Sequence, residues 1–356
     1  MKKLCVFFGG ESCEHDISVI TGMQLAKAVQ SDVEKIYIGL DNHFYLATGI
    51  ERLDYFSNKE KIKLKEVVIL YGSVFKKGKF LKKLFDIDVA INCCHGGIGE
   101  NGVLSAFFEL NKIKNCSSDM FASAVAMNKY VSKLIVGKEV NTVKGVLVTK
   151  SNFAESVEKI KEEMKDELVV KPNRLGSSIG VKVCNKENMI EQINAIFEMG
   201  DDALVEEKVC PLREFNQACI KTKEGLVLSA IEEPITKSQF LTFEDKYNHD
   251  SKQKCRDRIL PAQISPELEE QIMNSTSKIY SLLGMNGVAR IDYLYDQQEQ
   301  KLYFNEINTN PGSMAFYLFE KVGIDYLSLV DMMRQNPVAE KKYFYFESAV
   351  LSNKLL

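Results

Sequence analysis

Ala289-Arg290-Ile291-Asp292, followed by Phe304-Asn305-Glu306-Ile307-Asn308-Thr309-Asn310-Pro311-Gly312, is the part of the chain whose reading decides the fold. Side chains alternate between faces along a strand. Arg290 and Asp292 therefore share one face of the first strand, and Glu306 and Asn308 share one face of the second. If the two strands are neighbours, three oxygen-bearing side chains converge beside an arginine. Asp, Glu and Asn beside a phosphate site suit Mg²⁺, which prefers octahedral oxygen coordination. The alternative is two strands whose polar faces meet solvent. Both strands are otherwise strongly apolar, which argues against that alternative.

Outward from this pair, antiparallel strand signals recur at 215–220, 226–231, 287–295 and 301–307. Ser265-Pro266-Glu267 starts a helix, with serine at the cap and proline at the first helical position, and Gly284 ends it. Upstream, Lys171-Pro172-Asn173-Arg174-Leu175-Gly176-Ser177-Ser178-Ile179-Gly180 delivers a lysine from a strand into a loop with two glycines and two serines. Such a loop lets backbone N–H groups approach phosphate oxygens; a plain hairpin turn would give a similar string. This middle unit begins near Ser117, with helices near 123–135 and 153–164 and a strand at 168–170. The first third alternates strand and helix: a strand at 4–8, a helix at 17–29, strands at 33–40 and 87–94, and a helix at 102–110. Residues 42–83 read as a hairpin-rich insertion. The βαβ pattern implies a mostly parallel sheet. The expected fold class is α/β and α+β, a Rossmann-like N-terminal domain (1–117) followed by two lobes (118–206 and 207–356).

The composition excludes several classes. At roughly 100–200 residues per domain, 356 residues suit two or three domains. A net charge of -3 offers no basic field for nucleic acid. No apolar run approaches the ~20 residues that span a bilayer. The first apolar run ends at Glu11, Glu14 and Asp16, so it reads as a strand and not an export signal. Nine scattered cysteines suit reduced thiols in the cytoplasm. His15, His43, His95 and His249 lack the spacing of zinc ligands. Gly72 to Lys79 only imitates a P-loop, with spacing one residue too long and Phe80 where Ser or Thr is needed. Gly9-Gly10-Glu11-Ser12 lacks the dinucleotide fingerprint.

Seven strings carry a resemblance. They are G-G-E-S-C-E-H-D-I-S at 9–18, H-G-G-I-G-E-N-G at 95–102, A-M-N-K at 126–129, K-P-N-R-L-G-S-S-I-G-V at 171–181, K-Y at 246–247, A-R-I-D at 289–292 and N-E-I-N-T-N-P-G at 305–312. Their order and spacing resemble those of the D-alanine–D-alanine ligases, over roughly residues 4 to 335. The resemblance implies an ATP-grasp fold with ATP between the central and C-terminal lobes. It implies that Lys129, Lys171 and Ser178 meet ATP phosphates, that Glu207, Lys208 and Val209 line the adenine, and that Glu214 holds the ribose. Glu206 would replace Glu207 if the register were off by one. Asp292, Glu306 and Asn308 resemble the ligands of two Mg²⁺ ions, for which Mn²⁺ could substitute. Lys246 and Tyr247 fall on what resembles the loop that closes over the phosphates.

The implied reaction joins D-alanine to a second small D-amino acid through an acyl phosphate, for peptidoglycan precursor synthesis. Glu14, Ser177 and Tyr247 resemble the anchors of the first amino acid, although Glu14 also suits a helix N-terminus. Arg290 and the backbone N–H of Gly312 resemble the oxyanion donors. His95 would approach the first substrate or be a plain turn histidine. Ser313, Tyr317 and Leu318 fall where the second substrate binds. The family is commonly dimeric and cytoplasmic, and neither nucleic acid nor membrane is implied as a partner. Asn101, Asn128 and Asn305 are mild departures. Ser313-Met314-Ala315-Phe316-Tyr317-Leu318 is a larger one, because a Thr-Ser-x-Ser run is usual there, and a different acceptor such as D-serine is the alternative it raises. A catalytically silent nucleotide-binding regulator is a weaker rival, since Asp292, Glu306, Asn308, Arg290 and Lys246 are all present.

Overall fold

The computed structural model describes residues 2–29, 33–57, 63–235 and 258–339. Lys246, Tyr247 and His249 lie outside the described residues. Three sheets follow one another along the chain.

The first sheet begins with β1 (Lys2–Gly9), which is followed by helix α1 (His15–Val29) and by β2 (Val33–Ile38). Strand β1 pairs in parallel with β2 on one side and with β6 (Lys82–Asn92) on the other. Between them, β3 (Phe44–Leu46), β4 (Lys65–Leu70) and β5 (Ser73–Lys76) are antiparallel neighbours. The first half of β6 pairs with β5 and its second half with β1. Residues 42–83 do hold short antiparallel strands, as expected of a hairpin-rich insertion, and these strands continue the sheet and bring it back to β6. The expectation of a mostly parallel sheet is corrected, since parallel pairing is confined to β1, β2, β6 and the short β7 (Lys114–Asn115). After β6 come the short helices α2 (Gly97–Glu100) and α3 (Val103–Leu110).

The region expected to hold one helix at 123–135 holds two, α4 (Met120–Met127) and α5 (Lys129–Val136). Asn128 between them is extended, and its side chain accepts from the Val131 N–H at 3.0 Å, so it caps the second helix as it interrupts the first. Ala122, Ala126 and Val136 pack with Phe215, Ile291 and Phe304 of the third sheet. The second sheet is antiparallel, in the order β10 (Lys182–Cys184), β9 (Leu168–Pro172), β11 (Ala203–Glu207), β8 (Gly145–Val148). Helices α6 (Phe153–Glu163) and α7 (Met189–Glu198) bury Val157, Ile160, Ile193 and Ile196 against it.

The third sheet runs β14 (Arg258–Ile259), β13 (Gly225–Pro234), β12 (Leu212–Thr222), β15 (Val288–Asp296), β16 (Lys301–Asn308). Helix α8 (Pro266–Leu282) covers its apolar face; Ser265 caps it by accepting from Leu268 N–H at 3.3 Å. Gly284, just past its end, has the left-handed φ of +65° that favours glycine. The chain then returns to the first sheet. Met314, Leu318 and Phe319, with Leu329, Val330 and Met333 of α10 (Tyr326–Gln335), share one core with Leu4, Val6, Val19 and Leu25. Leu318 and Phe319 belong to the short helix α9 (Phe316–Glu320). Among the described residues, no helix is long and apolar enough to cross a membrane.

Gly22 marks how closely α1 approaches β1. A Cβ there would lie 2.5 Å from Cβ and Cγ of Phe8, which is fully buried. Alanine in place of glycine inside a helix ordinarily gains about 1 kcal/mol, whereas overpacking a filled core costs about 1–3 kcal/mol. The clash with Phe8 should win. Gly22→Ala is expected to lower the urea midpoint without changing the slope of the transition.

Candidate active site

One cleft is lined by strand residues of the second and third sheets and by Glu14, Ile17, His95 and Glu100 from beside the first. Its floor is the third sheet, where Asp292 lies directly opposite Glu306 and Arg290 opposite Asn308. The converging oxygens expected from strand alternation are therefore in place. Arg290 donates from Nε and Nη2 to the two Asp292 carboxylate oxygens at 2.7 and 2.8 Å. The Asn308 amide donates to Asp292 Oδ2 at 3.1 Å. Lys129 Nζ stands 3.2 Å from Glu306 Oε2 and donates to the Leu175 carbonyl at 2.6 Å.

The second sheet supplies a buried charge relay along one wall. Glu206 lies between Lys133 and Lys171, with Lys171 Nζ at 2.6 Å and Lys133 closer still. Burial pushes the Glu206 carboxyl up, but the two ammoniums outweigh it and hold it below its ordinary range. Burial pushes Lys133 down to about 8, against the pull of Glu206. Lys171 also donates to Asn305 Oδ1 at 3.0 Å, which joins the second sheet to the third. Glu206 is thus committed to two lysines. Glu207 lines the cleft and accepts the Lys165 N–H at 3.2 Å. Val209 and Glu214 also line the cleft, whereas the Lys208 side chain reaches Glu167 at 3.1 Å and is not in the wall.

The first sheet brings Glu14, which is buried at the start of α1. Ser177 donates its hydroxyl proton to Glu14, so the glycine-serine loop docks on the first domain. Ser177 and Ser178 both have left-handed φ, 56° and 58°. Gly96 passes beside this contact: a Cβ there would lie 2.5 Å from Ser12 Oγ and 2.8 Å from Glu14 Oε2. His95 is buried, and its Nε2 lies 2.8 Å from Thr21 Oγ1. Burial pushes its pKa down to about 4, so the ring is neutral at physiological pH.

The 313–318 segment behaves differently from a plain loop. Ser313, Met314 and Ala315 all have left-handed φ near 50°, a conformation that costs roughly 1–2 kcal/mol per non-glycine residue. Met314 and Ala315 are fully buried, so the core retains the turn. Ser313 is directed away from the cleft, its N–H donating to Thr21 Oγ1 at 3.0 Å and its hydroxyl to Gln24 at 2.6 Å. Leu318 is fully buried in the core, so its side chain is not part of the cleft wall. Tyr317 and Gly312 do line the cleft. Glu100, Glu232 and Arg258, which the sequence reading passed over, are among the other residues that line it. Glu100 stands in the quoted string at 95–102, and Glu232 in the acidic pair that ends β13, but no local pattern points either at the cleft.

Comparison with known proteins follows the same outline. Residues 3–118 match the family described as D-ala D-ala ligase N-terminus, and residues 134–335 the one described as D-ala D-ala ligase C-terminus. A D-alanine–D-alanine ligase of Campylobacter jejuni subsp. doylei is 33% identical over 349 residues, 97% of each chain. That of Helicobacter acinonychis is 33% identical over 350 residues, 97% of this chain and 98% of its own. Among solved structures, a D-alanine–D-alanine ligase from Helicobacter pylori superposes with a TM-score of 0.78 at 28% identity, covering 96% of this chain and all (100%) of that one. A D-Ala:D-Ser ligase from Enterococcus faecalis has a TM-score of 0.81 over 93% and 98% of the two chains; at 24% identity it speaks to the fold alone. The expected fold, a Rossmann-like domain followed by two ATP-grasp lobes, is the fold these structures share.

Glu100 generates a prediction. Its carboxylate accepts N–H bonds from Gly96 at 2.7 Å and Asn310 at 3.2 Å. Burial first, and then the Glu14 charge, push its pKa from 4.5 up to about 7. The folded protein thus holds this proton more tightly than the unfolded chain does. The associated stability is complete at acid pH and is lost as pH rises through about 7. Glu14→Gln removes the neighbouring like charge. The Glu100 midpoint, followed by ¹³C NMR of the carboxyl carbon, should move down in that variant, and the fall in thermal stability between pH 4.5 and about 7 should flatten.

Proposed function

Because the chain belongs to the D-alanine–D-alanine ligase family, we propose that it uses ATP to join D-alanine to a second D-amino acid, D-alanine first among them, as a step toward peptidoglycan precursors. The observation that supports the reading is the shared cleft: Asp292, Glu306 and Asn308 line it with Lys129 and Lys171, and Glu14 and Ser177 meet in its wall.

A free carboxylate forms an amide poorly because oxide is a poor leaving group. Transfer of the ATP γ-phosphoryl group to the first D-alanine converts that oxygen into phosphate. Lys129 and Lys171 are the cations available to the phosphates, and Ser178 with the backbone of its loop is the hydrogen-bonding surface. Glu207 and Val209, with the backbone of Lys208, would line the adenine, and Glu214 would take the ribose. Glu14, oriented by Ser177, suits the ammonium of the first D-alanine. When the second amino acid attacks, negative charge develops on the carbonyl oxygen, and Arg290 with the Gly312 N–H would meet it. One such donor is typically worth about 3–4 kcal/mol. Lys246 and Tyr247 are proposed to complete the closure over the phosphates, which keeps water from the acyl phosphate.

The metal follows from the donor set. Among the described residues no three His, Cys, Asp or Glu side chains gather into a self-sufficient site. Asp292 and Glu306 instead offer hard oxygens that Asn308 and a nucleotide's phosphates would supplement, which fits Mg²⁺ or Mn²⁺. Two ions bound there would neutralise charge on the phosphate oxygens. We assign residues 1–117 to binding of the first amino acid, 118–206 to the central lobe and 207–356 to the lobe with the metal and oxyanion groups. The proposal extends to a cytoplasmic homodimer.

The test is phosphate release from ATP with Mg²⁺ and D-alanine. Release should require both, and D-alanyl-D-alanine should accumulate. Asp292→Asn and Glu306→Gln are nearly isosteric, so folding should survive while turnover falls about 100-fold or more. Turnover that ignores D-alanine, or normal rates in both variants, would overturn the reading.

A further inference from the structure

The corner of the cleft beside Tyr317 contains a second charged cluster that the ligase chemistry above leaves idle. The register of the third sheet places Glu232 opposite Asn216, Asn216 opposite Asp292, and Asp292 opposite Glu306. These four residues form one row across four strands, and directly opposed residues share a face. All four line the cleft. Glu232 is buried, at 4% exposure. Its Oε1 lies 3.0 Å from Arg258 Nη1, and its Oε2 accepts the Tyr317 hydroxyl proton at 3.0 Å. The Arg258 guanidinium also stands over the Tyr317 ring, 4.7 Å from its centroid.

The direction of the Tyr317 bond decides what this wall can recognise. A tyrosine hydroxyl has one proton, and here it is committed to Glu232. Burial, and then the Glu232 charge, push the Tyr317 pKa up to about 12, so that proton stays on the ring oxygen. Towards the cleft the oxygen offers lone pairs. Tyr317 therefore cannot donate to a substrate carboxylate as a serine hydroxyl would. It accepts from an N–H. Asn216 adds to the demand for a donor, since its side-chain oxygen is buried without a partner among the described residues. A carboxylate, conversely, finds a donor on Arg258, whose guanidinium stands over Tyr317.

Resting on the ligase reading, we propose that Glu232 is a specificity-determining residue for the second substrate: by holding the Tyr317 proton and the Arg258 guanidinium, it makes the acceptor wall select a zwitterionic amino acid over an α-hydroxy acid. The amino group is read by the Tyr317 oxygen and by the Asn216 side-chain oxygen. The carboxylate is read by Arg258. An α-hydroxy acid such as D-lactate brings one weak O–H donor where the wall is built for a cation.

The experiment is a competition at neutral pH between D-alanine and D-lactate as acceptors, with ATP, Mg²⁺ and D-alanine as donor. The products, dipeptide and depsipeptide, are separated and counted. Wild type should give dipeptide. Tyr317→Phe, which removes only the hydroxyl, and Glu232→Gln, which removes the charge, should each lower the dipeptide-to-depsipeptide ratio about tenfold. Both should raise KM for the acceptor and leave KM for ATP and the donor D-alanine in place. Glu232→Asp keeps the charge and should recover part of the ratio. A parallel fall of both products, or an unchanged ratio in Tyr317→Phe, would overturn the assignment while leaving the ligase reading intact. A wild-type protein that forms neither product overturns the ligase reading itself, and this one with it.

Discussion

Asp292 faces Glu306, and Arg290 faces Asn308, because β15 and β16 pair antiparallel and hold one register from Arg290 to Asp292, which shifts only past Asp292. A slip of one residue would turn all four side chains to the opposite face of the sheet. The apolar residues between them prevent the slip. Ile291, Phe304 and Ile307 are buried on the far face, under α8 and the helices α4 and α5. Burying one such side chain is worth about 1.5–3 kcal/mol, so exposing several at once is prohibitive. The polar floor of the cleft is thus positioned by the apolar underside of the same strands.

The walls use a different device. Lys133, Glu206 and Lys171 are charged groups taken out of water, which alone would cost several kcal/mol per ion. Each is retained because the others are within contact distance, and Lys171 is tied to Asn305 as well. Such a group is weak as a source of stability but effective at fixing position. An unpaired charge at any of the three places would be strongly destabilising, so the lysine at the cleft has little freedom to wander. The Ser177–Glu14 bond does the same for the glycine-serine loop, with a hydrogen bond to a carboxylate in place of an ion pair.

Much of this was legible in the chain. Local patterns identified the strands of the third sheet, the Ser265 cap, and the faces that Arg290, Asp292, Glu306 and Asn308 occupy. Three kinds of feature were not legible, each for a physical reason. The strands between 42 and 83 are short, and their place in the sheet is set by pairing with β6, many residues away. Asn128 has ordinary neighbours for a helix, and only its capping bond shows that one helix ends and another begins. Glu232, Asn216 and Arg258 are unremarkable in sequence, because what gathers them is the lateral order of four strands drawn from separate parts of the chain. The Glu206–Glu207 ambiguity is the same problem at its smallest. Adjacent residues on a strand point to opposite faces, and only the pairing of β11 with β9 reveals that Glu206 meets the lysines.

The core shared by α1 and residues 314–333 has a consequence for how the protein is made. Leu4, Val6, Val19 and Leu25 leave the ribosome some 300 residues ahead of their packing partners Phe319, Leu329 and Met333. At ~5–20 residues per second, that is a wait of roughly fifteen seconds to a minute with apolar surface uncovered. The nascent N-terminal sheet therefore lacks part of its core until those residues follow. The last contacts to form are also among the longest in sequence, which places final closure of this molecule late and makes it slow.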